Sequence, residues 1–188
     1  STYLYDGTGS AQTFTNGINL GDNIAGSVDF DGTGDSLELT TYSWAYGTGD
    51  FTIEFWVYLD TLSGTINILD QRPSGGVGGL FIGWNSSGYL RFFKSDQGNL
   101  IADTVATSTG SWHHIAATRE SGTTRLFKDG SLIGSASSDT FDYTTSMLEI
   151  GQRSTSDGNE VDGKISNVRI VVGTAVYTSA FTVPTEPL

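Results

Sequence analysis

At 188 residues the chain is long enough for one domain with a sizeable core. Its net charge of -12 and pI near 4.2 argue against nucleic acid or an anionic membrane as partner, because neutralising phosphates needs clustered Lys and Arg. It has no cysteine for a disulfide scaffold, and no apolar run approaches the roughly 18–20 residues that span a bilayer as a helix.

Residues 1–26 are rich in Gly, Thr and Asn, with Tyr3, Leu4, Tyr5 and Phe14 scattered among them. They read as an N-terminal arm or edge segment: an edge strand with its loop, or an arm docked on a neighbouring subunit. The opening "STYLYDGTGS" has neither the basic nor the apolar region of a signal peptide. Residues 27–188 read as the main domain.

The first strand signal is "VDFDGTGDSLEL" (28–39), where Asp29, Asp31 and Asp35 crowd around two glycines. A helix-flanked calcium loop needs a bidentate Glu at its twelfth position, which here is Thr40. The flanks alternate like strands, with Val28 and Phe30 on one side and Leu37 and Leu39 on the other. The stretch therefore predicts a β-hairpin.

Period-2 alternation continues along the chain. "FTIEFWVYL" (51–59) places Phe51, Ile53, Phe55, Val57 and Leu59 on one face and Thr52, Glu54, Trp56 and Tyr58 on the other. Further strands are expected at 66–72, 80–85, 88–95, 111–120, 123–137, 147–153 and 163–173. Within 123–137, Asp129 and Gly130 sit between apolar-rich arms, the signature of a two-residue turn whose central residues need φ > 0. The only histidines, His113 and His114, are adjacent in a strand and so point to opposite faces. One packed and one solvated ring is the expectation, rather than a zinc site or a triad. The ending "FTVPTEPL" carries two of the three prolines and cannot lie in a central strand. Short, regularly spaced strands joined by glycine turns predict an all-β, two-sheet antiparallel sandwich.

The segments "VDFDGTGDSLEL", "GTGDFTIEFWVYL", "SWHHIAATRE", "RLFKDGSLIG", "LEIGQR" and "VDGKISNVRI", in this order, resemble the laminin-G-like branch of the concanavalin A-like lectin/glucanase superfamily. The resemblance covers about residues 27–172 and implies a jelly-roll sandwich. The ending "GTAVYTSAFTVPTEPL" resembles the close of such domains in virion proteins of tailed, particularly marine, phages.

The superfamily's glucanases carry Glu-x-Asp-x-x-Glu on one strand, and no such run occurs here. Glu54 and Glu149 each stand alone in their strands, while Glu38 and Asp29 would face each other across the first hairpin. The expected role is therefore non-enzymatic. The resemblance also implies a structural Ca²⁺ at the sandwich rim. Ser166 stands where many relatives have an Asp, which leaves Asp29, Asp31, Asp157 and Asp162 as candidate ligands. The rival role for such aspartates is to hydrogen-bond backbone N–H groups in turns.

A glycan site combines an aromatic face with amide and carboxylate hydrogen-bonders. Tyr42, Trp44, Tyr46, Arg72, Trp84 and Asn85 are the candidates, with core or edge packing the alternative for the two tryptophans. Two roles follow: a virion decoration or fibre subunit contacting glycan or other virion proteins as a homo-oligomer, or a secreted extracellular carbohydrate-binding module. The expected partner is thus a cell-surface polymer or another virion protein, and the expected location the virion surface.

Overall fold

The computed structural model describes residues 26–39, 45–73, 78–95, 98–144, 148–153, 158–185 and 188; the predicted arm lies outside them except for Gly26. The described residues form twelve strands and no helix. Numbered in chain order, one six-stranded sheet runs β1 (Val28–Asp31), β12 (Asp162–Val172), β3 (Phe51–Leu59), β8 (Trp112–Glu120), β9 (Thr123–Lys128), β10 (Ser131–Ser138). The other runs β2 (Leu37–Leu39), β11 (Leu148–Ile150), β4 (Ile66–Asp70), β5 (Leu80–Trp84), β6 (Leu90–Lys94), β7 (Gly98–Ala102). Neighbouring strands are antiparallel throughout.

The core lies between the sheets. The odd-numbered residues of β3, from Phe51 to Leu59, are fully buried against a layer that includes Leu80, Ile82, Trp84, Leu90 and Phe92. Each such side chain contributes roughly 1.5–3 kcal/mol of burial. The predicted turn is present: Lys128 pairs with Ser131, and Asp129 and Gly130 take φ of 52° and 74°. β7 escaped the sequence reading, because "GNLIA" is short and shows no clean alternation.

The predicted hairpin at 28–39 does not form. β1 pairs with β12 in one sheet and β2 with β11 in the other, so the glycine loop crosses from sheet to sheet. Asp31 Oδ1 accepts from Thr33 N at 2.9 Å, and Asp35 Oδ2 accepts from Asp31 N at 3.0 Å, which tightens the corner. Alternating apolar residues mark strands that face a core, but not which neighbour they pair with. Glu38 and Asp29 consequently lie on different sheets rather than opposite each other.

Alternation also predicted one apolar and one polar face for β3, yet Thr52 and Glu54 are fully buried. The chain beyond β12 crosses the outer face of this sheet as an irregular strap. Thr52 Oγ1 donates to Thr174 O and accepts from Val176 N, while Thr118 Oγ1 donates to Tyr177 O. The Tyr177 and Phe181 rings stack at 3.6 Å and stand edge-on to His114. Both histidines are therefore buried, contrary to the expectation that one meets solvent. His114 faces Glu54 beneath the strap, and His113 Nδ1 donates to Asp129 Oδ2 at 2.7 Å.

Candidate functional site

Tyr46, Arg72, Trp84 and Asn85 are separated by the fold, and Tyr42 and Trp44 lie outside the described residues. Tyr46 is a core residue, its ring 4.9 Å from that of Phe51, and burial pushes its phenol well above the usual range. Trp84 is fully buried between the sheets and donates from Nε1 to Thr107 Oγ1 at 2.8 Å. Neither ring offers a face to a sugar, so the glycan reading of these two is corrected to core packing. Asn85 shapes its own turn: Oδ1 accepts from Ser87 N and Tyr89 N.

The candidate calcium ligands do converge, apart from Asp157, which lies outside the described residues. Asp29 opposes Lys164 and Asp31 opposes Asp162 across β1 and β12. The Lys164 ammonium, however, lies 3.1 Å from Asp29 Oδ1 and 3.0 Å from Asp60 Oδ2. Burial pulls its pKa down, but hydrogen bonds to Asp60 and Asp29 outweigh that and hold it above the ordinary value. Asp162 Oδ2 accepts from Thr61 Oγ1 at 2.7 Å, and the Ser166 hydroxyl donates to Gly26 O at 2.5 Å. Among the described residues no three acidic or histidine side chains form a metal-holding group. The described candidates do not fit a calcium cage: Lys164 balances Asp29, Asp31 Oδ1 accepts from Thr33 N, and Asp162 Oδ2 accepts from Thr61 Oγ1.

Among the described glycan candidates, Arg72 alone lies on the outer face of the second sheet, beside the Phe81 ring. Strand register aligns Glu38, Glu149, Asp70, Phe81, Phe93 and Asn99 in one cross-strand row. A second row aligns Asn67, Gly83, Arg91 and Ala102. Directly opposed side chains in such rows lie about 4.5–5.5 Å apart at Cβ, so each row is a contiguous strip. Gly83 is required where it stands: a Cβ there would come within 2.0 Å of Ile66 O. The Ile66 backbone fills the place a side chain would take, between Asn67 and Arg91.

The rows carry aromatic, amide, carboxylate and guanidinium groups together. The Phe81 and Phe93 rings stack at 4.6 Å, and the guanidinium carbons of Arg72 and Arg91 sit 4.3 and 4.7 Å from the Phe81 centroid. Asp70, fully buried, accepts from Asn67 Nδ2 at 2.7 Å and from the backbone N and Nε of Arg72 at 2.9 and 3.0 Å. Glu149 accepts from Gln152 Nε2; burial, with Glu38 and Asp70 adding like charge, pushes its carboxyl above the usual range. Burial, and then the neighbouring Arg72, lower the pKa of Arg91. Asn67 Oδ1, Gln152 Oε1 and Arg91 Nε are buried without a hydrogen-bond partner. Sequence reading missed Phe81, Phe93, Arg91 and Asn67, because only register across β4, β5 and β6 brings them together.

A groove of about 580 Å³ opens at one rim, lined by Lys94, Thr140, Phe141, Asp142 and Thr144. Beside it, Arg119 is fully buried and donates to the carbonyls of Gly47, Gly49 and Phe141 at 2.7–2.8 Å. It thereby clamps the loop after residue 45 to the 139–143 segment, which Gly47 and Tyr143 also join by a pair of backbone hydrogen bonds. No other charged side chain in the described chain makes three such bonds to rim carbonyls. A shallower groove of about 530 Å³ lies at the opposite rim, lined by residues such as Thr61, Ser86, Ala106 and Thr109.

The fold matches solved sandwiches at low sequence identity. Domain 4 of AbnA, a GH43 extracellular arabinanase from Geobacillus stearothermophilus, in complex with arabinotriose, superposes with a TM-score of 0.64 at 16% identity, covering 89% of this chain and 78% of that one. The Ruminococcus gnavus IT-sialidase CBM40, bound to alpha2,3 sialyllactose, gives 0.65 at 10% identity, covering 80% and 91%. Trypanosoma rangeli sialidase gives 0.64 at 15% identity over 80% of this chain, which spans only 26% of the sialidase. No curated protein matches the sequence. A family model of the laminin-G type matches residues 31–175, most of the sandwich from the β1–β2 corner to the end of β12. The chain thus belongs to the concanavalin A-like lectin/glucanases superfamily.

Proposed function

We propose that this chain is a non-enzymatic glycan-recognition protein that binds through the outer face of its second sheet and serves at a virion surface as a decoration or fibre subunit. The observation that carries the reading is the composition of that face. Phe93, half-buried and stacked on the buried Phe81, offers apolar surface for a sugar ring, while Arg91 and the exposed Asn99 stand beside it to meet hydroxyls. Two structural neighbours of the same fold carry arabinotriose and sialyllactose in their solved forms, which supports a glycan as ligand. The non-enzymatic reading draws on the state of the carboxylates. Asp70 and Glu149 oppose each other across β4 and β11 but are almost fully buried, one held by Arg72 and Asn67, the other by Gln152. Neither is free to protonate or attack a glycosidic bond.

The virion setting draws on the resemblance of residues 173–188 to the endings of phage virion domains. In the fold this ending is the strap on the first sheet, which leaves the second sheet's outer face as the side turned to a ligand.

A glycan array probed with the whole chain is the direct test. Labelling that disappears in Phe93→Ser, with the melting temperature kept within a few degrees, supports the reading; no labelling of any glycan refutes it. Size-exclusion with light scattering addresses the assembly role. An oligomer fits a virion subunit, whereas a glycan-binding monomer moves the protein to a secreted carbohydrate-binding module.

A further inference from the structure

Cations in this acidic chain are paired almost throughout. Arg72, Lys94, Arg119, Arg125, Lys128, Lys164 and Arg169 each have a carboxylate oxygen no farther away than 3.9 Å. Arg91 has none among the described residues, although the chain holds 21 acidic side chains. It is partly buried, its Nε lacks an acceptor, and its guanidinium is stacked over Phe81 at 4.7 Å and Phe93 at 5.8 Å. The second guanidinium on Phe81, that of Arg72, makes this isolation costlier, since like charges crowd one ring. A half-desolvated cation without a counter-ion is expensive unless an anion completes it.

The surroundings narrow what that anion is attached to. Beside Arg91 on the same strand, Phe93 is half-buried, and Asn99, which faces Phe93 from the next strand, is exposed. An anion at Arg91, an apolar ring face at Phe93 and a hydroxyl at the Asn99 amide describe one ligand with a single acidic group and neighbouring hydroxyls. A polyphosphate fits poorly, because Glu38, Glu149 and Asp70 line the adjacent row of a chain with net charge -12.

We propose that Arg91 anchors the carboxylate of an acidic sugar through its guanidinium fork, with Phe93 beside the ring and the Asn99 amide meeting a sugar hydroxyl. This rests on the glycan-binding reading and specifies its ligand class. A guanidinium suits the task because its planar N–H pair matches a carboxylate bidentately.

Calorimetric titration of the whole chain with four probes tests it: 3′-sialyllactose, an oligogalacturonate, lactose and arabinotriose. At least one acidic probe should bind about tenfold or more tighter than both neutral ones, with affinity falling as salt rises. Arg91→Gln should remove that advantage, and Arg91→Lys should restore part of it, since the charge returns without the fork. Should Arg91→Gln fail to fold, the Arg91→Lys comparison decides alone, with a several-fold loss expected for the acidic probe only. Neutral probes binding as tightly as acidic ones would overturn the acidic-sugar assignment and leave the glycan reading intact. Acidic binding indifferent to both Arg91 variants would overturn it as well. Binding of none of the four probes would overturn the acidic-sugar assignment, and the glycan reading then stands or falls by the array.

Discussion

Replacing Glu54 with Gln tests the account of how the strap is held. The side chain is fully buried, with Oε1 accepting from Arg169 Nε at 2.6 Å. Oε2 accepts from Tyr177 OH at 2.9 Å and faces His114 Nε2 at 3.1 Å. Burial alone would raise the Glu54 pKa, but the hydrogen bonds from His114, Arg169 and Tyr177 outweigh it and hold the carboxyl below its ordinary value. Glutamine keeps the shape, removes the charge, and turns an N–H₂ towards at least one of these donors. Removing one partner of a buried pair costs about 3–5 kcal/mol. The Arg169 side chain is 34% exposed and reaches water, so about 2–3 kcal/mol is expected at pH 7. For a chain of this size that lowers the melting temperature by roughly 5–10 °C. Because the folded pKa is depressed, the charge stabilises the fold above the unfolded carboxylate pKa of about 4.3, and that contribution fades as pH drops through the folded value. Melts of wild type and Glu54→Gln at pH 7 and pH 3 should therefore converge in acid. Tyr177→Phe, which removes one donor, should cost about 1 kcal/mol and shift melting less. A Glu54→Gln loss below about 1 kcal/mol, or a gap as wide at pH 3 as at pH 7, would show that the strap does not depend on the charge.

Glu149 works in the opposite sense. Its pKa is raised, so its ionisation opposes folding, and that penalty is relieved as pH falls through the folded value. Glu149→Gln should raise the melting temperature at pH 7, with the advantage shrinking in acid; a lower melting temperature at pH 7 would contradict the assigned burial and like-charge effects. At the rim, Lys164 already bridges Asp29 and Asp60. Melts with EDTA and with added CaCl₂ should coincide, and a calcium-dependent rise of several degrees would mean that the ion is held by groups other than those described.

Most of the architecture was legible because a sandwich strand advertises its inward face. The odd positions of β3 and the two-residue turn at Asp129 and Gly130 could be read directly, since apolar alternation and φ > 0 are local requirements. Pairing is not local. "VDFDGTGDSLEL" reads the same whether its strands meet in one hairpin or part into two sheets, and the structure parts them. Burial of Glu54 and His114 was likewise hidden, because it depends on a strap that arrives more than 55 residues later in the chain.

The candidate site followed the same division. An aromatic followed by an amide, as in Trp84 and Asn85, suggested a sugar platform, but Trp84 lies on the inward face of β5 while its neighbour Phe81 lies on the outward one. Arg72 was singled out from its loop, yet its meaning depends on Asp70 and Phe81.

By itself the sequence determined that this chain folds as an all-β sandwich of short antiparallel strands, because alternation and turn chemistry act over a few residues. Only the tertiary structure decided which strands became neighbours, and with that the register that leaves Arg91 stacked on Phe81 without a carboxylate partner among the described residues. Register across strands distant in the chain sets which side chains share a face, and no local pattern encodes it.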